Sequence, residues 1–307
     1  MSRNDWFRHL MDMTDPATET FVAHRALLFT VAYEMLGSAA DAEDVVQETW
    51  LKWTGVDLSS VRDQRAYLVT IATRQALGRL RVLGRRKETY VGPWLPEPLL
   101  TAPDVAEDVE LADSLSTAML LVLETLTPTE RAVFVLREVF AFDYAEVAEA
   151  VGKTQAAVRQ IAHRAREHVA ARRPRGTASQ EQTKGAMAAF QRAIDNGDLQ
   201  GLLDLLAPDV VLLADGGGVI QAMPRPLLGA EKLVRFYAAI LRNFGSIMTL
   251  EPAQANGCPV FLAYLDGTLD GVMSMKVEDN LITELYYVRN PEKLSRLTEE
   301  TALSREL

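Results

Sequence analysis

The chain has 307 residues, 48% hydrophobic and 24% charged, which allows two or three separate cores and fits a water-soluble globular protein. A formal net charge of −10 argues against a free-standing binder of nucleic acid, and no apolar run approaches the ~18 residues of a membrane span. The opening MSRNDWFRHLMD lacks a signal-peptide core, and the single cysteine, Cys258, excludes an internal disulfide and a cysteine-built metal cluster. No membrane, metal or cofactor is expected, and the cytoplasm is the expected compartment.

In chain order, FVAHRALLFTVAYEML (21–36) repeats apolar residues at three- and four-residue steps and stops at Gly37, which predicts a helix. DAEDVVQETWLKW (41–53) predicts a second. Its stripe of Val45, Val46, Thr49, Trp50 and Trp53 belongs in a core, and Asp41, Glu43, Asp44 and Glu48 fall off that stripe onto an exposed face. A third helix is predicted from Gln64 to about Val82, within a stretch (Arg65–Lys87) holding seven bases and no acid. VGPWLPEPLLTAP (91–103), with four prolines, reads as an extended linker, and helices resume near Val109–Leu126.

The next segment gives the sharpest local signals. Thr127-Pro128-Thr129-Glu130 is a capping box with proline at the first helical position, Asp143-Tyr144-Ala145-Glu146 is an N-cap signature of Asp-x-x-Glu form, Gly152 makes a turn, and Thr154 caps the helix that follows. Val158, Ile161, Ala162, Ala165 and Val169 form its buried stripe, which leaves Gln155, Arg159, Gln160, His163, Arg164 and Arg166 facing out. A short helix, a glycine turn and a helix with a polar, basic outer face match a helix-turn-helix.

Charge is segregated along the chain. Residues 1–87 carry net +1, 88–142 net −8, 143–176 net +3 and 177–307 net −6, so two basic patches flank an acidic stretch. After a second linker, ARRPRGTASQEQT (171–183), helices (Lys184–Asn196, Leu199–Leu206, Ala230–Asn243) alternate with strand-like runs at 210–214, MTLEPAQ, VFLAYLDG, GVMSMKVE and 281–288. This predicts an α+β domain on an antiparallel curved sheet.

DAEDVVQETWLKW with AYLVTIATRQALGRLR resembles region two of bacterial sigma-70-type factors, and TPTERAVFVLREVFAFDYAEVAEAVGKTQAAVRQIAHRARE resembles their region four, at the spacing of the extracytoplasmic-function class. The tail resembles the SnoaL-like fold. WLPEP (Trp94, Leu95, Pro96, Glu97, Pro98), DGGG (Asp215, Gly216, Gly217, Gly218) and NPEKL (Asn290, Pro291, Glu292, Lys293, Leu294) resemble the subgroup with such an extension. The resemblance implies a multidomain chain: two all-α domains, region two as a helical bundle (1–88) and region four as a helix-turn-helix (113–172), then an α+β SnoaL-like cone domain (184–307), with linkers at 89–112 and 173–183.

It also implies partners and roles. Core RNA polymerase would meet Asp41, Glu43, Asp44 and Glu48, and acid on the free factor would suppress unproductive DNA binding. Promoter DNA would meet Gln155, Arg159, Gln160, His163, Arg164 and Arg166 at one element and Arg74, Arg79 and Arg81 at the other. The WLPEP, DGGG and NPEKL residues would form an interdomain regulatory contact, and the SnoaL-like pocket is a candidate small-molecule site, with Asp215, Tyr264, Asp266 and Tyr286 to line it. All four histidines (His9, His24, His163, His168) precede residue 177, so the His/Asp pair of SnoaL-like enzymes is missing and no catalytic residue is assigned. Two rival readings are a SnoaL-like cyclase or isomerase fused to a DNA-binding half, and a stand-alone helix-turn-helix repressor.

Overall fold

The computed structural model describes residues 15–102, 105, 108–172, 178–220, 222–297 and 300–304. The opening dodecapeptide and residues 173–177 of the second linker lie outside these. The chain forms two compact units: Met1–Arg85 with Val122–Ala171 and Ala302–Leu307, and Arg86–Leu121 with Arg172–Thr301.

The first unit is helical. Helix α1 (Pro16–Leu36) starts where Asp15 accepts from the Ala17 and Thr18 amides and stops at Gly37, whose left-handed backbone (φ 66°) closes the last turn. Helix α2 (Ala39–Trp53) packs against it: Phe21 and Trp50 ring centroids lie 5.0 Å apart, and Trp53, fully buried, donates its indole N–H to Ala17 O at 2.8 Å. Each such aromatic contributes about 1.5–3 kcal/mol by burial. Helix α3 (Gln64–Glu88) runs past Val82, since LGRRK contains only a tolerated glycine.

Helix α4 (Val109–Leu115) and helix α5 (Thr117–Glu124) lead to α6 (Pro128–Phe134), α7 (Tyr144–Val151) and α8 (Gln155–Arg172). Both capping boxes close on the backbone, Gly152 is left-handed (φ 65°), and Thr154 Oγ1 accepts from the Ala157 amide at 3.2 Å. Val158, Ala162, Ala165 and Val169 are buried, with Ile161 half-buried. Arg131 of α6, almost inaccessible, ties α6 to α1 by donating Nε–H to Glu34 O at 3.0 Å.

The second unit is built on six strands, β1 (Leu206–Asp215), β2 (Leu227–Leu228), β3 (Met248–Ala255), β4 (Cys258–Leu265), β5 (Thr268–Glu278) and β6 (Leu281–Val288), in the order β2-β1-β6-β5-β4-β3. The sheet is not wholly antiparallel. Strands β1 and β6 pair parallel, because the chain between them passes through a helix and a three-strand meander. Register breaks at Leu206/Val211, Ala263/Tyr264 and Lys276/Val277 bend it.

Helices α9 (Gln180–Asn196), α10 (Leu199–Leu205) and α11 (Ala230–Phe244) share a core with one sheet face through Phe190, Ile194, Leu233, Tyr237, Phe261 and Leu285. Helix α9 begins four residues before Lys184 because Ser179 and Gln182 form a capping box. A short helix α12 (Pro291–Leu294) follows β6.

Candidate functional site

The acids of α2 are not a free exposed face. Arg79 of α3 lies 3.0 Å from Asp41, 3.1 Å from Asp44 and 3.0 Å from Glu48, while Arg25 of α1 pairs with Glu43 at 2.8 Å. Asp41 is 8% exposed and the other three are half-buried. The reason is helical periodicity on a neighbour: the basic helix α3 presents Arg79 toward the acidic edge of α2. This separates Arg79 from Arg74 and Arg81. Arg74 donates to Glu149 O at 2.8 Å at the end of α7, and Arg81 is exposed.

On α8, Gln155, Arg159, Gln160, His163, Arg164 and Arg166 are all exposed. The Arg159 guanidinium sits 5.2 Å from the centre of the Tyr144 ring, and Arg166 pairs with Glu138 at 3.2 Å. His163 lies 3.8 Å from Glu167. The face offers bidentate donors near the helix start and cations further along, suited to base edges and phosphates respectively.

In the second unit, residues Leu95–Leu99 of the proline-rich segment are buried against the sheet face opposite α9 and α11, with Val260, Val272, Tyr286, Val288 and Leu294. The segment is extended, as its prolines dictate, and it is packed rather than free. Asp215, at the end of β1 and completely inaccessible, is its anchor. Oδ1 accepts from the Tyr90 hydroxyl at 2.6 Å and the Gly217 amide at 3.0 Å; Oδ2 accepts from the Leu95 amide at 2.9 Å and Lys293 Nζ at 2.7 Å. Four donors offset the cost of burying the carboxylate.

Lys293 also donates to Leu95 O, and Asn290 donates to the Tyr90 hydroxyl at 2.9 Å while capping α12 through the Glu292 amide. Burial and the Asp215 carboxylate push the Tyr90 phenol well above its ordinary range. Trp94 is half-buried between two ammoniums, Lys87 at 3.4 Å and Lys293 at 4.1 Å from its ring centre. Pro96, Glu97 and Pro98 are buried, Arg296 lies 3.7 Å from Glu97, and Leu294 packs with Leu95.

The glycines permit close approach. A Cβ at Gly216 would stand 2.2 Å from Ile220 O, and one at Gly217 (φ 67°) 2.5 Å from the Asn290 side chain. Gly218 (φ 72°) approaches Val91, and the next residue, Val219, is exposed. The segment is a turn against a neighbour rather than a phosphate cradle.

Further along, Asn256 holds Leu99 on both sides: its amide donates to Leu99 O at 2.8 Å, its Oδ1 accepts from Leu99 N at 2.9 Å, and its Nδ2 reaches Leu115 O at 3.1 Å. Sequence reasoning missed Lys87, Tyr90 and Asn256. Asn256-Gly257 was legible as a tight hairpin turn between two strands, since both take positive φ (55° and 68°). Nothing local signals its second role.

The opposite face of the sheet lines a cavity of about 570 Å³. Of the four residues expected there, only Tyr264 lines it. Asp215 is in the linker network, Asp266 forms a turn (φ 48°), and Tyr286 points to the linker side because side chains alternate along β6. Asp270, Tyr287 and Arg289 line it instead.

Residues 20–86 match the family model for sigma-70 region 2, and residues 116–169 that for sigma-70 region 4. Taken with the relatives below, this defines the class: the chain belongs to the extracytoplasmic-function sigma factors of RNA polymerase, in the group with a SnoaL-like C-terminal domain. It is 36% identical to the ECF RNA polymerase sigma factor SigJ of Mycobacterium tuberculosis, over 90% of this chain and 92% of the relative. The probable ECF sigma factor SigI of the same organism is 32% identical, over 94% and 99%. The crystal structure of M. tuberculosis SigJ matches with a TM-score of 0.73 at 34% identity, covering 91% of this chain and 99% of that one. Among the described residues no helix is long and apolar enough to cross a membrane.

Proposed function

We propose that this sigma factor, acting in the cytoplasm, directs core RNA polymerase to a specific set of promoters under the control of its own SnoaL-like domain. The domain acts by holding the segment between regions 2 and 4 in one path, which limits the reach of the chain between its two promoter-contacting modules. The observation that carries this is the Asp215 carboxylate, bound to the Leu95 amide, the Tyr90 hydroxyl and Lys293 at once. A linker whose backbone is bonded to a folded domain is no longer free to extend.

In this reading Gln155, Arg159 and Gln160 meet base edges, and His163, Arg164 and Arg166 meet phosphate. Arg74 and Arg81 serve the downstream element, and Asp41, Glu43, Asp44 and Glu48 meet polymerase. Arg79 joins either set only once its acids find other partners. Regulation is a two-state equilibrium of the held linker, biased by polymerase or by a small molecule in the C-terminal cavity. The test is promoter-dependent transcription in vitro with core polymerase. Trp94→Ala, which removes the ring held between Lys87 and Lys293, is expected to release the linker and raise output. Unchanged transcription, with unchanged radius of gyration in solution scattering, overturns the control by the linker.

A further inference from the structure

Between α6 and α7 the chain makes a turn of π-helix (Val135–Val139) and then takes a left-handed backbone at Ala141 (φ 55°), which a Cβ makes costly. Both features collect at functional sites. Arg137 holds the turn: its Nη1–H donates to Phe142 O at 2.7 Å and reaches Ala141 O at 3.5 Å. The turn delivers Asp143 as the cap of α7, where its side chain accepts from the Ala145 and Glu146 amides. That fixes the place of Tyr144, the first helical residue.

Two guanidiniums meet the half-buried Tyr144 ring, Arg137 at 4.7 Å and Arg159 at 5.2 Å from its centre. They are not equivalent. Arg137 is bonded to the backbone, whereas the Arg159 guanidinium has no hydrogen bond or ion pair among the described residues. The ring alone locates it. An aromatic face competes weakly for N–H donors beside a base-edge oxygen, so Arg159 is held with its donors still available. Arg166 on the same helix differs, since Glu138 already pairs with it at 3.2 Å. A long side chain ordinarily loses its rotamer freedom when the partner arrives, and here the ring imposes that loss beforehand.

We propose that Tyr144 is a positioning residue for promoter reading: its ring sets the Arg159 guanidinium in advance for the O6 and N7 edge of a guanine in the upstream element. This rests on the reading above that Arg159 meets a base. The aromatic face carries the role rather than the hydroxyl, and Arg137 supports it through the turn that places the ring.

The test is binding of holoenzyme, at one salt concentration, to promoters matched and singly mismatched along the upstream element. Arg159→Ala first identifies the base pair at which discrimination is lost. At that pair Tyr144→Leu is expected to lower the matched-to-mismatched affinity ratio about three- to tenfold, with mismatched binding unchanged, and Tyr144→Phe to keep the ratio. Partial unfolding would weaken matched and mismatched binding together and leave the ratio alone. Full discrimination by Tyr144→Leu, a Tyr144→Phe as defective as Tyr144→Leu, or an equal loss at every base pair overturns the proposal. If Arg159→Ala itself loses no discrimination, the base contact falls, and the positioning role with it. A second measurement uses the full-length chain without DNA. The Arg159 Nε–H resonance, identified by its absence from Arg159→Lys, is expected to be displaced by the ring current from that of the exposed Arg164. Coincident resonances would overturn the ring contact whether or not Tyr144→Leu folds.

Discussion

Lys293 Nζ lies 2.7 Å from Asp215 Oδ2, with Asp215 inaccessible to solvent and Lys293 8% exposed. Asp215 ends β1 and Lys293 lies in the short helix α12 that follows β6, the parallel neighbour of β1, so the pair closes the linker side of the sheet. Removing one member strands a buried charge. Lys293→Met is expected to destabilise the second unit by about 3–5 kcal/mol in urea unfolding of the full chain. The double change with Asp215→Asn should cost clearly less than the sum of the single changes. A Lys293→Met protein within the error of the unmodified chain would rule out a structural role.

Two left-handed glycines separate backbone strain from collision. Gly197 (φ 65°) ends α9 with nothing within 4 Å of a new Cβ, whereas at Gly217 (φ 67°) that atom lands 2.5 Å from Asn290. Gly197→Ala is expected to cost about 1–2 kcal/mol. Gly217→Ala should cost measurably more in the same thermal unfolding series and loosen the segment around Tyr90, seen as faster hydrogen exchange at Leu95. Equal losses would show that Asn290 moves aside freely.

Arg79 neutralises acids assigned to polymerase. Since its side chain is 28% exposed, the pairs are partly screened and modest in strength. Arg79→Met is expected to strengthen association with core polymerase by freeing Asp41, Asp44 and Glu48, and Asp44→Asn with Glu48→Gln to weaken it. Competition binding to core polymerase distinguishes these, and a weaker Arg79→Met complex would place Arg79 itself in the contact.

Arg159→Ala should cost about 1–3 kcal/mol on the matched upstream element and relax preference at one base pair, whereas Arg166→Ala should weaken all sequences evenly. Holoenzyme binding at one salt concentration provides the comparison. Identical losses for Arg159→Ala on matched and mismatched elements would reduce it to a phosphate contact.

Cys258 reports on the docking of α4. Burial, reinforced by the Asp113 carboxylate, pushes its thiol up to about 12, and the thiol donates to Ala112 O at 3.7 Å. The folded state keeps a proton that the unfolded state loses near its ordinary pKa. This contribution to stability is therefore full below about pH 8.5 and declines as pH rises toward 12. Only the thiolate alkylates, so iodoacetamide at pH 8 should leave the native chain unlabelled and label it fully in denaturant, as read by mass spectrometry. Rapid native labelling would show that solvent reaches the half-buried thiol in the folded chain.

The helical half was legible because its signals are local: capping boxes at Thr127 and Asp143, the Gly37 and Gly152 turns, and the Trp50/Trp53 stripe each lie within one element. Strand positions were also legible from alternation. The parallel pairing of β1 with β6 was not, because it depends on which strands meet across an intervening helix. The Arg79 cluster and the Tyr90–Asp215 bond escaped for the same reason. Each joins residues distant in sequence, 38 positions for Arg79 to Asp41 and 125 for Tyr90 to Asp215. The cavity residues went astray by one position at Tyr286 and Tyr287, since a strand read one residue out of phase exchanges its faces.

The bond between Tyr90 and Asn290 spans 200 positions. Synthesis at about 5–20 residues per second separates their emergence from the ribosome by about 10–40 s. Through that interval the apolar segment around Leu95 exists without the complete sheet that covers it, and the helices through α8 (Gln155–Arg172) are finished before it ends. A newborn molecule is thus briefly a sigma factor with an unheld linker. If the domain controls the linker as proposed, it would act as a clock on each new copy, and a premature stop after residue 172 would leave that first state permanent.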